Sequence, residues 1–403
     1  MIQIDNKQNC CGCGACAQTC PKGAICMSED KEGFLYPQVN QEVCIHCGKC
    51  IRVCPILNRV EEKAFPQDAF ICQMKDRRIL LESSSGGAFS AIAEYVLDQE
   101  GVVFGAALTE DFAVAHREIT NKADLSLLRG SKYVQSRLGN CYQQVRQYLN
   151  AGKMVLFSGT PCQIEGLLTF LGEHPQQLIA VDVVCHAVPS PKIWKLYVDH
   201  RHSKHSKINN FRFRDKKPYG YQMSVLSAYD GDAQIYCGDI SVDPYLRAFF
   251  SNICDRPSCY ACSFKKRYRI SDITLWDCLD PQQFGNLPDG MIESQGISNV
   301  LLHSDKGQEI WNTIKNRMLY FSVNADALTE SAREMTHSVE EHPGRDAFFR
   351  DVEVLSADEL FPKYFPVRWK NRAEHDVRVL LVRTGLTSKV RNAAKKIIKN
   401  HKR

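Results

Sequence analysis

Two short runs of cysteine near the start constrain the fold of this chain more than any other feature. Cys10, Cys13, Cys16 and Cys20-Pro21 read C-x2-C-x2-C-x3-C-P, and Cys44, Cys47, Cys50 and Cys54-Pro55 repeat the pattern. Two-residue gaps wrap three thiolates around three corners of one cube. The three-residue gap and its proline then turn the chain away towards a second cube. The spacing therefore predicts two 4Fe-4S clusters with crossed ligation. Cys10, Cys13, Cys16 and Cys54 would hold one, and Cys44, Cys47, Cys50 and Cys20 the other. Structural zinc takes its ligands as two pairs rather than as two quartets with this ending. A disulfide scaffold belongs to secreted chains, and the opening Met-Ile-Gln-Ile-Asp-Asn lacks the apolar stretch of a signal peptide. Cys11 and Cys26 fall outside the pattern and read as packed free thiols.

The duplicated pattern is that of a bacterial-type ferredoxin domain, expected over residues 1–60. The chain has 403 residues, so about two or three domains are expected. Apolar residues make up 44% and charged residues 24%, as in soluble globular proteins. No apolar run approaches the ~20 residues that span a bilayer. The expectation is a cytoplasmic protein in a reducing compartment, because eleven of its nineteen cysteines lie outside the two runs. The net charge of +5 gathers at the end. After Asp376 there is no acidic residue, while Arg378, Arg383, Lys389, Arg391, Lys395, Lys396, Lys399, Lys402 and Arg403 are basic. A solvated terminus is the plain reading of Lys389–Arg403; the sharper one is weak attachment to an anionic membrane surface or partner. Basic residues without interleaved aromatics argue against nucleic acid.

Polar residues 58–68, with Pro66, read as a linker. Beyond them strand and helix signals alternate, which argues for an α/β domain. Strands are expected at Phe70–Gln73, Gly101–Leu108, Lys153–Phe157, Leu178–Val184 and Ile297–His303. Helices are expected at Gly87–Gln99, Leu138–Asn150, from Cys162, and at Asp305–Met318. Residues 209–237 read as strands with turns at Tyr219-Gly220 and Asp230-Gly231, and the last third as largely helical. The predicted fold class is thus α+β or α/β, with a small ferredoxin-type module before a larger mixed α/β domain that ends in a helical part. The expected divisions are 1–60, 69–150, 151–365 and a basic tail, 366–403.

Several stretches of the larger domain, taken in order, carry a family likeness. They are Ser84-Ser85-Gly86-Gly87-Ala88-Phe89, Gly130-Ser131-Lys132-Tyr133-Val134-Gln135-Ser136, and Phe157-Ser158-Gly159-Thr160-Pro161-Cys162-Gln163. Asp182-Val183-Val184-Cys185-His186, Arg256-Pro257-Ser258-Cys259-Tyr260-Ala261-Cys262 and Ser271-Asp272-Ile273-Thr274 follow. His342-Pro343, Arg345-Asp346 and Phe348-Phe349 continue the series. From Cys10 to about Phe361 the chain resembles the coenzyme F-420 hydrogenase/dehydrogenase beta-subunit family of iron–sulfur flavoproteins. The resemblance implies FAD and at least one further 4Fe-4S cluster in the larger domain. One departure stands out: Leu275-Trp276-Asp277-Cys278 occupies a place where Leu-Gly-Asp-Phe is expected. The indole of Trp276 would fill space near the flavin, and Cys278 becomes an ambiguous thiol.

Cys259 and Cys262 form a two-ligand element that needs partners. Cys162 and Cys185 end neighbouring apolar strands, and such ends share one sheet edge. These four are the candidate ligands of a third cluster, with Cys254 in reserve; Cys72, Cys141 and Cys237 read as buried structural thiols. Ser85, Gly86 and Gly87 before a helix suggest a pyrophosphate cradle, although a serine cap with a flexible turn has the same pattern. Lys132 could stabilise charge at the flavin or on a phosphate, Tyr133 could stack on a ring, and Thr160 and Gln163 are candidate flavin hydrogen-bonders. Each also has a bland reading as ordinary surface or core. His186 could supply a proton, or serve as a core histidine. Lys265, Lys266, Arg267 and Arg269 could bind phosphates, dock an acidic donor, or form a solvated loop.

The function expected from these readings is an iron–sulfur flavin-dependent oxidoreductase. It would pass electrons from a donor such as reduced ferredoxin or a reduced coenzyme through 4Fe-4S clusters to FAD. The small-molecule substrate would be a deazaflavin or a polysaccharide-biosynthesis intermediate, as the resemblance implies. The alternative is a non-catalytic electron-transfer subunit of a hydrogenase- or dehydrogenase-type complex. A homo-oligomer is compatible with both.

Overall fold

Each cysteine run bends at the same place. Gly14 and Gly48 hold left-handed backbone (φ 69° and 72°) and open short helices, Ala15–Gln18 and Lys49–Arg52, which carry the third cysteine of each run. An antiparallel hairpin of β1 (Ile25–Glu29) and β2 (Leu35–Val39) lies between the runs. Its turn is organised by Asp30, whose carboxylate accepts the amides of Glu32 and Phe34. The computed structural model describes residues 1–386 except Ser206 and Ser224. The basic stretch Lys389–Arg403 lies outside the described residues.

The larger domain is built on strands β3 (Ala69–Met74), β4 (Val102–Leu108), β5 (Val114–Ile119), β6 (Val155–Gly159) and β7 (Leu178–Val183). Strands β8 (Asn210–Phe213), β9 (Val225–Asp230) and β10 (Ala233–Asp239) form a separate antiparallel sheet. After them come β11 (Ile273–Asp277), β12 (Ser298–Leu302) and β13 (Met318–Val323). The main sheet has eight strands in the order β13-β3-β12-β11-β7-β6-β4-β5. Its middle, β11 to β4, is parallel, and the flanks are antiparallel. The expected division at 150/151 therefore falls inside one sheet. It parts the sequence but not the fold, because β4 pairs with β6 across it.

Alternate residues of the central strands feed two cores, as the pleat requires. Val103, Leu156, Ile179, Val181, Ile273 and Leu275 pack against the helices Ala88–Asp98 and Asp305–Ile314. Val102, Phe104, Val155, Phe157 and Ala180 pack against the helices Cys141–Asn150 and Pro161–Leu171, and there the ferredoxin-type module joins through Cys11, Cys13, Val53 and Ile56. No helix among the described residues is long and apolar enough to cross a membrane.

Two histidines are buried without charge in this scaffold. His116 stacks on Phe157 and bonds Ser158 O at 2.9 Å; burial pushes it down to about 4. His303 lies 2.7 Å from Thr274 Oγ1, and burial, reinforced by Arg269, pushes it down to about 3. Each takes a proton in the unfolded chain near pH 6.5 that the folded chain refuses. The stability they contribute is thus present above pH 6.5 and is lost as pH falls towards those values, at about 1.4 kcal/mol per pH unit for each. The urea midpoint should fall as pH drops from 6.5 to about 4.5, and His116→Gln should make that fall measurably shallower than in the parent.

Candidate functional site

The second run and the end of the first meet in space. Cys20, Cys44, Cys47 and Cys50 line one cavity with Pro21, Ile45 and His46. Main-chain amides already point at two of these sulfurs: Ile2 N at Cys50 Sγ (3.2 Å) and Ala24 N at Cys20 Sγ (3.3 Å). Cys16 lies among Cys10, Cys54 and Cys50; burial first, and then those thiols, pushes it up to about 12. Cys13 abuts the larger domain: a Cβ placed on Gly166 would stand 3.0 Å from Cys13 Sγ. Among the described residues no three His, Cys, Asp or Glu side chains close on a single ion.

A third group of thiols lies directly behind the first. Cys162 sits in the first turn of the helix that follows β6, and Cys185 follows β7. Because β6 and β7 are parallel neighbours, both cysteines reach the same sheet edge. There they line one cavity, with about 530 Å³ of empty space including its mouth, together with Cys259 and Cys262. Burial pushes Cys185 up to about 12, with Lys265 opposing and Cys162 and Cys262 adding to the rise. Cys11 lines the same cavity, within hydrogen-bond reach of Cys13 and Cys162. Sequence spacing sets Cys11 aside as a packed thiol; only the docking of the two domains places it here. The reserve ligand Cys254 belongs instead to a separate apolar core with Trp194 and Tyr245, and Cys278 to another with Ile71 and Met291.

The two domains are clamped around this junction. Arg256 is fully buried and donates to Cys10 O (2.8 Å), Gln135 Oε1 (2.8 Å) and Leu35 O (2.9 Å). Arg345 grips Glu32 through two hydrogen bonds of 2.8 and 2.6 Å. The basic cluster after Cys262 is engaged internally, which removes the expected role in phosphate or donor binding. Lys265 donates to the carbonyls of Cys185, His186 and Glu334, Lys266 pairs with Glu165, Arg267 with Asp326, and Arg269 with the buried Asp182.

The remaining candidates divide between this cavity and the region around Lys132 and Tyr133, named the cleft for its proposed role. Thr160 Oγ1 lies 3.1 Å from Cys162 Sγ, and Gln163 Oε1 accepts the Thr160 amide as a helix cap. Thr160 lines the thiol cavity, and Gln163 holds the Thr160 turn. His186 also lines the cavity; it bonds Asn252 Oδ1 at 2.8 Å, and burial lowers its pKa. Its ring meets Phe249 edge-on at 5.2 Å, and Phe249 stacks on Tyr133 at 4.9 Å, so an aromatic run joins cavity to cleft.

In the cleft, Lys132 Nζ donates to Leu127 O and Arg129 O, and burial, with Arg212 nearby, pushes it down to about 7. Burial pushes Tyr133 up to about 12, opposed by Arg214 and assisted by Asp277. Ser84 Oγ accepts the Ser131 amide at 2.7 Å, which joins the serine loop to the Lys132 segment. Ser85 donates to Ile297 O. Gly86 departs from the expected open cradle: its amide donates to Ser298 Oγ, and strand backbone fills the space a side chain would take. Gly87 (φ 85°) caps the helix Ala88–Asp98, whose start has no side-chain cap. Asp277, paired with Arg214 at 2.7 Å, faces this cleft. Trp276 points to the other side of β11 and packs among Val184, Phe284 and Leu287.

Residues 152–326 match the family model for the C terminus of the coenzyme F420 hydrogenase/dehydrogenase beta subunit. Residues 9–57 match a 4Fe-4S dicluster domain. No curated protein matches the chain. Among solved structures, the chain is similar to one in the xenon-derivatised F420-reducing NiFe hydrogenase complex from Methanosarcina barkeri. That match has 16% identity and a TM-score of 0.44, and covers 75% of this chain and 91% of the other, a likeness too loose to place side chains. Both cysteine runs thus fall inside the dicluster match and Cys162, Cys185, Cys259 and Cys262 inside the beta-subunit match, so this chain joins a 4Fe-4S dicluster domain to a region similar to the C terminus of the coenzyme F420 hydrogenase/dehydrogenase beta subunit.

Proposed function

We propose that the chain is an iron–sulfur flavoenzyme that carries single electrons from an external donor along three 4Fe-4S clusters towards FAD and an organic substrate. The observation that carries this reading is the cavity shared by Cys162, Cys185, Cys259 and Cys262, directly behind the first cysteine set. Cys47 of the second run is exposed, and Cys11, beside the first run, lines the cavity of the third set. Small-molecule donors such as a reduced coenzyme, or a reduced ferredoxin, would meet the outer set first.

The side chains around Lys132 supply groups that would suit an FAD. The uncapped start of the helix Ala88–Asp98, with Lys132 and Arg212 close by, suits a pyrophosphate. Tyr133 offers a ring, and Lys132 a positive charge held close to neutrality. Bound there, FAD would convert between the one-electron chemistry of clusters and the two-electron chemistry of a deazaflavin or a polysaccharide-biosynthesis intermediate. His186 has the proton role in this reading: with its Nε2–H given to Asn252, Nδ1 is the atom left to accept a proton. Asp277 fixes Arg214 over the cleft, which makes the pair a positioning element.

Anaerobic purification tests the proposal. Protein from such a preparation should contain about twelve irons, together with FAD released by acid treatment. Cys259→Ser with Cys262→Ser should reduce the iron to about eight while leaving the ferredoxin-type module loaded. An iron content near eight in the parent, unchanged by the double substitution, would remove the third cluster.

A further inference from the structure

The helices of the larger domain turn apolar residues inward, and the last described helix does the reverse. Trp369–Arg383 has no buried residue. It meets the body through one side: His375 Nδ1 lies 3.0 Å from the buried Asp239 carboxylate and Arg378 3.9 Å from it, while His375 meets Tyr219 edge-on. At 3.6 residues per turn, Asn371, Val379 and Val382 share that side, and all three are half-buried. Trp369, Val377 and Leu380 lie on the opposite side, 75%, 55% and 60% exposed, with Ala373 between them. Among the described residues nothing covers this stripe, and a contiguous apolar patch of this kind marks a site of interaction.

Charge identifies the occupant. Beyond Asp376 the sequence has no Asp or Glu and nine Lys or Arg residues. A second copy of the chain would bring this basic run against its own like, whereas anionic headgroups above acyl chains match both the charge and the stripe. We infer that the C-terminal helix and the basic run dock the protein peripherally on an anionic membrane surface, with Trp369, Val377 and Leu380 at the headgroup–acyl boundary. This inference is independent of the cofactors.

Co-sedimentation of the full chain with phosphatidylcholine vesicles, with and without one quarter phosphatidylglycerol, tests it. Binding should appear with the anionic vesicles alone and weaken at high salt. Val377→Asp with Leu380→Asp should weaken it roughly tenfold or more, with circular dichroism and iron content unchanged because neither side chain is buried in the body. Brominated lipid should quench the parent's tryptophan fluorescence, and Trp369→Phe should remove the quenched component. Failure to bind anionic vesicles, equal binding to neutral ones, or unchanged binding by the double variant would overturn the inference. So would a dimer that the double variant splits, since the stripe would then belong to a second copy.

Discussion

Gly86→Ala is expected to prevent folded protein from accumulating. A Cβ at that position would lie 2.4 Å from Cys72 O and 2.4 Å from Ser298 N, both backbone atoms of adjoining strands. Rotation of the loop cannot relieve the contact, because Met74 N donates to Gly86 O and Gly86 N to Ser298 Oγ, which ties the residue to both strands. Only separation of β3 from β12 makes room, and these are adjacent strands of the main sheet. Overpacking of this kind costs about 3 kcal/mol or more, a large part of the 5–15 kcal/mol that holds a domain together. Soluble yield and urea unfolding measure the effect. Gly152→Asn is the control, because its left-handed position meets nothing within 4 Å and asparagine tolerates that backbone. A urea midpoint for Gly86→Ala equal to the parent's would show that this account of the loop is wrong.

The same glycine illustrates what the sequence could convey. Ser-Gly-Gly ahead of a helix reads as an open anion cradle, and only strand pairing reveals that Gly86 is a packing requirement while the helix start beyond it stays uncapped. Strands with continuous apolar runs, such as β4, β6 and β7, were legible because burial on both faces demands Val, Leu, Ile and Phe. The β11 strand was hidden inside a stretch read for its motif, and β5 and β13 alternate or lie at sheet edges, where polar residues weaken the signal. The cysteine grouping within each run follows from local spacing. Membership of Cys11 in the third cavity, and of Asp277 in the cleft, depends on domain docking and on which face of a strand a residue takes. Neither is encoded within a few residues of the position itself.

Removing the charge of Arg256 should uncouple the two domains. Its guanidinium holds three buried acceptors and lies 4.3 Å from the centre of the Tyr36 ring. Arg256→Met keeps much of the volume but leaves three neutral acceptors unpaired, each at a cost of about 1–3 kcal/mol before they relax. Limited proteolysis should then cut the linker at 58–68 faster, and thermal unfolding should separate into two steps. Arg256→Lys should restore little, because one ammonium cannot span three acceptors set around a planar fork. A single transition at the parent's temperature in both variants would mean that the domains are held by other contacts.

The topology of the main sheet has a consequence for how the protein is made. Ile71 pairs with Asn299 and Phe321, so β3 waits on the ribosome until nearly the whole chain has emerged. The ferredoxin-type module needs nothing beyond its own residues to group Cys20 with Cys44, Cys47 and Cys50, and those residues emerge first. Synthesis would thus separate two moments at which thiols are brought together: an early one in the ferredoxin-type module, and a late one at Cys162, Cys185, Cys259 and Cys262, whose grouping depends on sheet closure. If the proposed third cluster exists, chains made when iron is scarce would fill the outer module first and leave the junction for last.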